Sequence, residues 1–167
     1  EDSDEFIKSV EEWQPIPGSL EAVARLNQAG FSVAVASNQS GLARGYFDVA
    51  TLSEMHKKMN DLLDELGARV DAIFYCPHGP KDDCECRKPK PGLLNEIASR
   101  YQVNMAKVYV VGDSLRDIEA AASVNAKPVL VRTGKGEKTA EKLNGNGFDD
   151  VPVFDDLAAA ADAVIAW

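Results

Sequence analysis

Short apolar runs alternate with amphipathic stretches along this chain, and that rhythm restricts the fold more than any other feature. Pro17-Gly18-Ser19 opens a predicted helix with Leu20, Val23 and Leu26 on one face, closed by Gly30. Phe31 to Ala36 reads as a buried strand. Thr51-Leu52-Ser53-Glu54 has the capping-box pattern of a second helix, whose apolar stripe runs through Leu52, Met55, Met59, Leu62, Leu63 and Leu66 before Gly67. Val70 to Tyr75 is the next strand, and Pro91 marks the start of a third helix with Leu93, Leu94 and Ile97 facing inward. A strand at Lys107 to Val111, a helix from about Leu115 to Ser123, a strand at Pro128 to Arg132, a helix and Gly-rich loop within Gly134 to Phe148 and a closing helix after Asp155 follow. Near-continuous apolar strands separated by amphipathic helices imply a parallel sheet covered on both faces. The expected class is therefore α/β, a Rossmann-like three-layer α/β/α arrangement in one domain over residues 1–167.

Composition narrows what such a fold could do. The 167 residues carry a net charge of −9, so the overall field repels polyanions, and an anionic substrate would need a local cluster of donors. Nucleic acid is an unfavourable partner. The longest apolar runs are far too short to span a bilayer, and no charged-then-apolar leader opens the chain, so a cytoplasmic monomer without a membrane partner is expected. All 3 cysteines lie between Cys76 and Cys86, where an intracellular metal site fits better than a disulfide framework. Cys76-Pro77-His78 and Cys84-Glu85-Cys86 form two short chelating pairs joined by a loop containing Gly79 and Pro80. Four such ligands suit tetrahedral Zn2+ in a closed structural site, against the alternative of a chance cluster of buried thiols. His56 has no partner at ligand spacing and reads as an ordinary surface histidine.

In parallel sheets, ligands collect beyond the carboxyl ends of the strands. Three predicted strand ends carry polar clusters: Ser37-Asn38-Gln39-Ser40-Gly41, Cys86-Arg87-Lys88-Pro89-Lys90-Pro91-Gly92, and Gly112-Asp113-Ser114-Leu115-Arg116-Asp117. Each has an ordinary explanation alone: serine as a turn former, lysine as a solvated charge, aspartate as a helix cap. Together, a hydroxyl, a lysine and paired carboxylates at successive strand ends describe a phosphoryl-transfer site, with donors neutralising phosphoryl oxygens and a carboxylate holding a hard cation.

These segments resemble, in order, the second, third and fourth motifs of haloacid dehalogenase phosphatases. With SNQSGLARG, the Cys/His loop, CRKPKPG, GDSLRD and VRTGKG, the chain is similar to the heptose 1,7-bisphosphate phosphatases of that superfamily, and histidinol phosphatases are near relatives. The resemblance implies that Ser37 donates to the transferring phosphoryl group and that Asn38, Gln39 and Ser40 line the substrate pocket. It implies that Lys88 stabilises phosphoryl oxygens, that Arg87 helps recognise substrate, that Asp113 ligates Mg2+ and that Asp117 supports the magnesium site from behind. The zinc loop at about 76–86 would order Arg87 and Lys88. Arg44 and Lys90 are candidate extra contacts, each equally explained as a solvated surface residue. No inserted cap domain fits between Ser37 and Lys88, so loops alone must shape the pocket, which suits a sugar bisphosphate.

Members of this superfamily begin with a strand ending in Asp-x-Asp, whose first aspartate is the nucleophile. Asp2-Ser3-Asp4 matches the letters, but with one residue ahead of it no buried strand can present it, so it is read as a decoy. The nucleophile and the acid/base aspartate are expected upstream of Glu1. The expected function is hydrolysis of a sugar phosphate monoester in lipopolysaccharide or S-layer precursor synthesis, through a phosphoaspartate. Histidinol phosphate is the alternative substrate. A receiver-like phosphate-accepting domain or a non-catalytic, zinc-stabilised phosphate-binding module are the alternatives from other classes.

Overall fold

Helix and strand alternate through residues 6–167, the span described by the computed structural model. Asp2-Ser3-Asp4 lies outside the described residues. The chain divides into two units, the first ending at Cys84 and the second running from Glu85 to Trp167.

The first unit contains helix α1 (Ser19–Gln28), strand β1 (Ala34–Asn38), the one-turn helix α2 (Ser40–Ala43), helix α3 (Val49–Glu65) and strand β2 (Ala72–Cys76). β1 and β2 pair in parallel, from Ala34 opposite Ala72 to Asn38 opposite Cys76. The strand predicted from Phe31 starts three residues later, because Phe31 is consumed in ending α1. Gly30 adopts φ 91°, its N–H donates to the Asn27 carbonyl and the Phe31 N–H reaches back to Leu26 at 2.9 Å, the paired bonds of a Schellman termination. Phe31 is left 37% exposed instead of buried. Val33 and Asp71 then open the ladder. The Val33 N–H donates to Asp71 Oδ2 at 2.9 Å, and the Asp71 N–H donates to the Val33 carbonyl at 2.7 Å.

α3 begins before the predicted Thr51, because Asp48 is its cap. Asp48 Oδ1 accepts from both the N–H and the hydroxyl of Thr51, each at 2.8 Å. Leu52, Met55 and Leu63 of the predicted stripe are buried, whereas Leu66 is 42% exposed where the chain turns off the helix into Gly67. Phe47, Leu52 and Met55 form a core to which Ile7, Val10, Trp13, Leu42 and Tyr75 contribute. Lys58 of α3 ties the N-terminal segment down, donating to the carbonyls of Val10 at 2.9 Å and Trp13 at 2.6 Å. His56 is not an ordinary surface residue: it is half-buried against Tyr75, with ring centroids 6.1 Å apart, because α3 lays this face toward β2.

The second unit contains α4 (Gly92–Tyr101), β3 (Tyr109–Gly112), α5 (Leu115–Ser123), β4 (Lys127–Val131), α6 (Gly136–Leu143), β5 (Val153–Phe154) and α7 (Leu157–Ala166). Its sheet is parallel, in the order β3-β4-β5. β3 starts at Tyr109 and not Lys107, since Met105–Lys107 form a 3-10 turn capped by the Asn104 side chain. β4 runs from Lys127 to Val131, one residue earlier than predicted at each end. Period-2 alternation assigns its side chains to two layers. Leu130 packs with Ile118 and Leu143 on one side, while Val129 and Val131 pack with Ala160 on the other. That two-sided burial is what a parallel sheet flanked by α5 and α6 on one face and α7 on the other requires. No helix among the described residues is long and apolar enough to cross a membrane.

Candidate active site and metal cluster

In the first unit, Ser37 and Asn38 are the last residues of β1, and Ser40 begins α2. Gln39 bridges them: its N–H donates to the Cys76 carbonyl at 2.8 Å and its Nε2 to Ser37 Oγ at 2.8 Å. A hydroxyl that accepts from an amide keeps its own proton for an anionic oxygen. Ser40 is buried, and Gly41 behind it has no room for a side chain, since a Cβ there would lie 2.3 Å from the Phe47 ring. The turn that carries Ser37 to Ser40 is therefore held by packing as well as by hydrogen bonds. Arg44, one turn further on, is exposed and lies over the Phe6 ring at 5.2 Å.

The ligand atoms of Cys76, His78, Cys84 and Cys86 all lie within 4.8 Å of one another. Cys76 is fully buried, the other three are half-buried, and no disulfide joins the thiols. Cys76 Sγ is 3.6 Å from Cys84 Sγ and 3.5 Å from His78 Nδ1. A tetrahedron with usual zinc bond lengths has S···S edges of about 3.8 Å and S···N edges of about 3.6 Å. The donors are thus already spaced for a four-coordinate ion, and the cluster could hold a metal. Gly92 keeps the end of this loop close to α4: its N–H donates to the Glu85 carbonyl at 3.0 Å, and a Cβ on it would lie 2.7 Å from Cys86 Cα.

The second unit brings three predicted residues to one end of its sheet. Asp113 follows β3 directly, and Asp117 lies in the first turn of α5. Lys88 Nζ pairs with Asp117 Oδ1 at 2.6 Å, both side chains largely buried. Asp117 Oδ2 accepts from Ser114 Oγ at 2.8 Å and from the Ser114 N–H at 3.1 Å, so one carboxylate caps α5 and anchors the lysine. Burial pushes this carboxyl's pKa up, but the Lys88 ammonium and the Ser114 bonds outweigh it and hold the group below its ordinary value. Gly112 makes the approach possible, because a Cβ there would lie 2.3 Å from Asp117 Cβ. Lys90 pairs with exposed Glu85 at 2.9 Å. Arg87 is half-buried, and its carbonyl accepts from the Lys90 N–H at 2.9 Å.

The structure also supplies neighbours of Asp113 that the strand-end reasoning missed. The Lys135 N–H donates to Asp113 Oδ2 at 2.9 Å, and the Thr139 hydroxyl donates to the Asp113 carbonyl at 2.9 Å. VRTGKG was visible as a motif, but nothing in its spacing pointed at an aspartate 22 residues away.

A profile of the HAD-hydrolase-like family matches residues 85–160. A D-glycero-beta-D-manno-heptose-1,7-bisphosphate 7-phosphatase from Pseudomonas aeruginosa is 54% identical over 98% of this chain and 90% of its own length. A protein of the same name from Pseudomonas putida is 55% identical over 98% of this chain and 92% of its length. In three dimensions the chain matches the crystal structure of D,D-heptose 1,7-bisphosphate phosphatase from B. bronchiseptica, complexed with magnesium and phosphate. That match has a TM-score of 0.94 at 53% identity, covering 99% of this chain and 92% of the other. The corresponding enzyme from Burkholderia thailandensis matches with a TM-score of 0.75 at 43% identity, over 99% of this chain and 96% of that one. Similarity of this degree over nearly the full length of both partners leaves one assignment: the chain belongs to the D-glycero-beta-D-manno-heptose-1,7-bisphosphate 7-phosphatase family of the haloacid dehalogenase superfamily of magnesium-dependent phosphatases.

Proposed function

We propose that this protein hydrolyses the 7-phosphate of D-glycero-D-manno-heptose 1,7-bisphosphate and leaves the anomeric phosphate in place. The observation that carries this is the near-full-length identity of 53–55% to proteins named for that reaction. In this proposal residues 1–167 belong to a single phosphatase domain that acts in the cytoplasm as a monomer, with phosphoryl transfer through a phosphoaspartate on the nucleophile of the family's first motif.

The residues of this chain suit the parts assigned to them. Ser37 donates to a phosphoryl oxygen, while Asn38, Gln39 and Ser40 line the pocket that receives the sugar. Lys88 contributes positive charge, held by Asp117 in a fixed direction, so that no reorganisation is needed as charge builds on the transferring group. Arg87 offers a planar donor fork for substrate oxygens. Asp113 provides a hard carboxylate oxygen of the kind magnesium prefers, with its orientation limited by the Lys135 N–H. Magnesium, when bound there, supplies charge neutralisation at the phosphoryl oxygens. In the Cys76, His78, Cys84 and Cys86 cluster the proposed ion is zinc, in a structural role, since four protein ligands leave no position for substrate.

Phosphate release by the full-length protein, first-motif aspartates included, with saturating magnesium, measured side by side on the heptose bisphosphate and on histidinol phosphate, tests the proposal. A higher kcat/KM for the heptose bisphosphate is expected. A higher value for histidinol phosphate would transfer the assignment to the second substrate, and phosphate binding without turnover of either would favour a non-catalytic module.

A further inference from the structure

Asp113 is held from two directions by the chain that follows β4. Its carboxylate oxygen Oδ2 accepts from the backbone N–H of Lys135 at 2.9 Å. Its carbonyl accepts at 2.9 Å from the hydroxyl of Thr139, one turn into α6, a hydroxyl that also lies 3.1 Å from the Lys135 carbonyl. Thr139 is 6% exposed, a depth at which a hydroxyl needs a partner. Between these two contacts sits Gly136, the first residue of α6, where a Cβ would lie 1.7 Å from the Val131 carbonyl oxygen and 3.8 Å from the Asp113 carbonyl. No other residue type lets the helix start pack so closely. Gly134, at φ 60°, turns the chain into that position.

We infer that the Lys135–Gly136 turn and Thr139 are positioning elements for the metal-binding carboxylate, fixing both the backbone and the side-chain rotation of Asp113. The inference rests on the assignment of Asp113 as a magnesium ligand. The Lys135 N–H restricts rotation about the Asp113 Cβ–Cγ bond, while Thr139 fixes the peptide from which that side chain projects. A carboxylate that needs no rearrangement loses less conformational freedom when it takes a cation, and groups that orient a ligand in this way are typically worth about 10–100-fold in metal affinity or activity. Thr139 therefore acts at one remove, through Asp113, and does not need to touch substrate.

Substituting Thr139→Val keeps the branched shape and removes only the hydroxyl, while Thr139→Ser keeps the hydroxyl. Calorimetric titration of Mg2+ into each protein, with and without inorganic phosphate, gives the reading, alongside far-UV circular dichroism melts in the absence of metal. The expected result is a Kd for Mg2+ raised about tenfold in Thr139→Val and restored to within about twofold of the parent in Thr139→Ser, with a cooperative melt in both. Unchanged magnesium affinity in Thr139→Val, together with a large loss in Asp113→Asn, would overturn the inference and leave the metal assignment standing. Unchanged affinity in Asp113→Asn would overturn both. Should Thr139→Val fail to fold, Thr139→Ala, which asks for less space, gives the same reading, and parental affinity in it refutes the idea.

Discussion

Asp117→Asn separates what the Lys88–Asp117 pair does by charge from what it does by shape. Asparagine retains an oxygen that can accept from the Ser114 N–H and Oγ, so the cap on α5 survives while the charge facing Lys88 is lost. At the observed 2.6 Å separation and an effective dielectric of about 20, the gross attraction is about 6 kcal/mol. Desolvation of the two groups, 15% and 10% exposed in their side chains, offsets much of that in the intact pair. Removing one partner exposes the other half of the balance, because Lys88 stays buried without this counter-charge, and the expected loss is about 3–5 kcal/mol. For a chain of this size that lowers Tm by about 6–20 °C. Urea unfolding followed by circular dichroism, in parent, Asp117→Asn, Lys88→Met and the double variant, measures it. The double variant should recover about 2 kcal/mol relative to the sum of the single losses, since it leaves neither charge stranded. The pH dependence provides a second check. Because the folded pKa of Asp117 is depressed, its contribution is fully present above the unfolded value of 3.8 and is lost as pH falls through the folded pKa. The difference between parent and Asp117→Asn should therefore shrink below about pH 4. A loss under about 1 kcal/mol at neutral pH, or additive single variants, would refute the coupling.

Gly112→Ala should displace Asp117, since the added Cβ would meet its Cβ at 2.3 Å, and a stability loss of about 1–3 kcal/mol, with disturbed magnesium binding, is expected in denaturant titration and calorimetry. Cys84→Ser should lower the zinc content of protein purified without added metal from one equivalent toward none and loosen the 76–86 loop, which metal analysis and limited proteolysis would register. His56 has its pKa lowered by burial, so its neutral form is the one the fold prefers. Its contribution is complete above the unfolded value of 6.5 and declines as pH falls below it, and His56→Leu should flatten that part of the stability profile between about pH 7 and pH 5. An Asp113→Asn variant should lose turnover by on the order of a hundredfold at saturating magnesium in the phosphate-release assay.

Local chemistry was enough to place α1, α3, α4, α5, α7 and strands β1 to β4, though not the one-turn α2 or the two-residue β5, and it picked out the spaced Cys/His ligands and the positions of Ser37 and Asp113 at the ends of β1 and β3. Apolar period, turn residues and chelate spacing act over a few residues, so one strand of text carries them. Pro91 marked the start of α4, and Leu115 to Ser123 proved to be α5 with no change of boundary. Boundaries failed where a competing short-range bond decided them, as at Phe31, spent on closing α1, and at Asp48, which caps α3 ahead of the predicted Thr51. Tertiary structure alone decided which polar groups face one another. Asp117 could be read as a helix cap or as a support of the magnesium site, and its pairing with Lys88 emerged only because the turn after Cys86 delivers a lysine to the first turn of α5. Likewise the glycines at 112 and 136 could be read as flexible turns until folding placed a carboxylate against one and a carbonyl against the other. Contacts of that kind depend on where distant strands end in space, a quantity to which no spacing within a single segment responds.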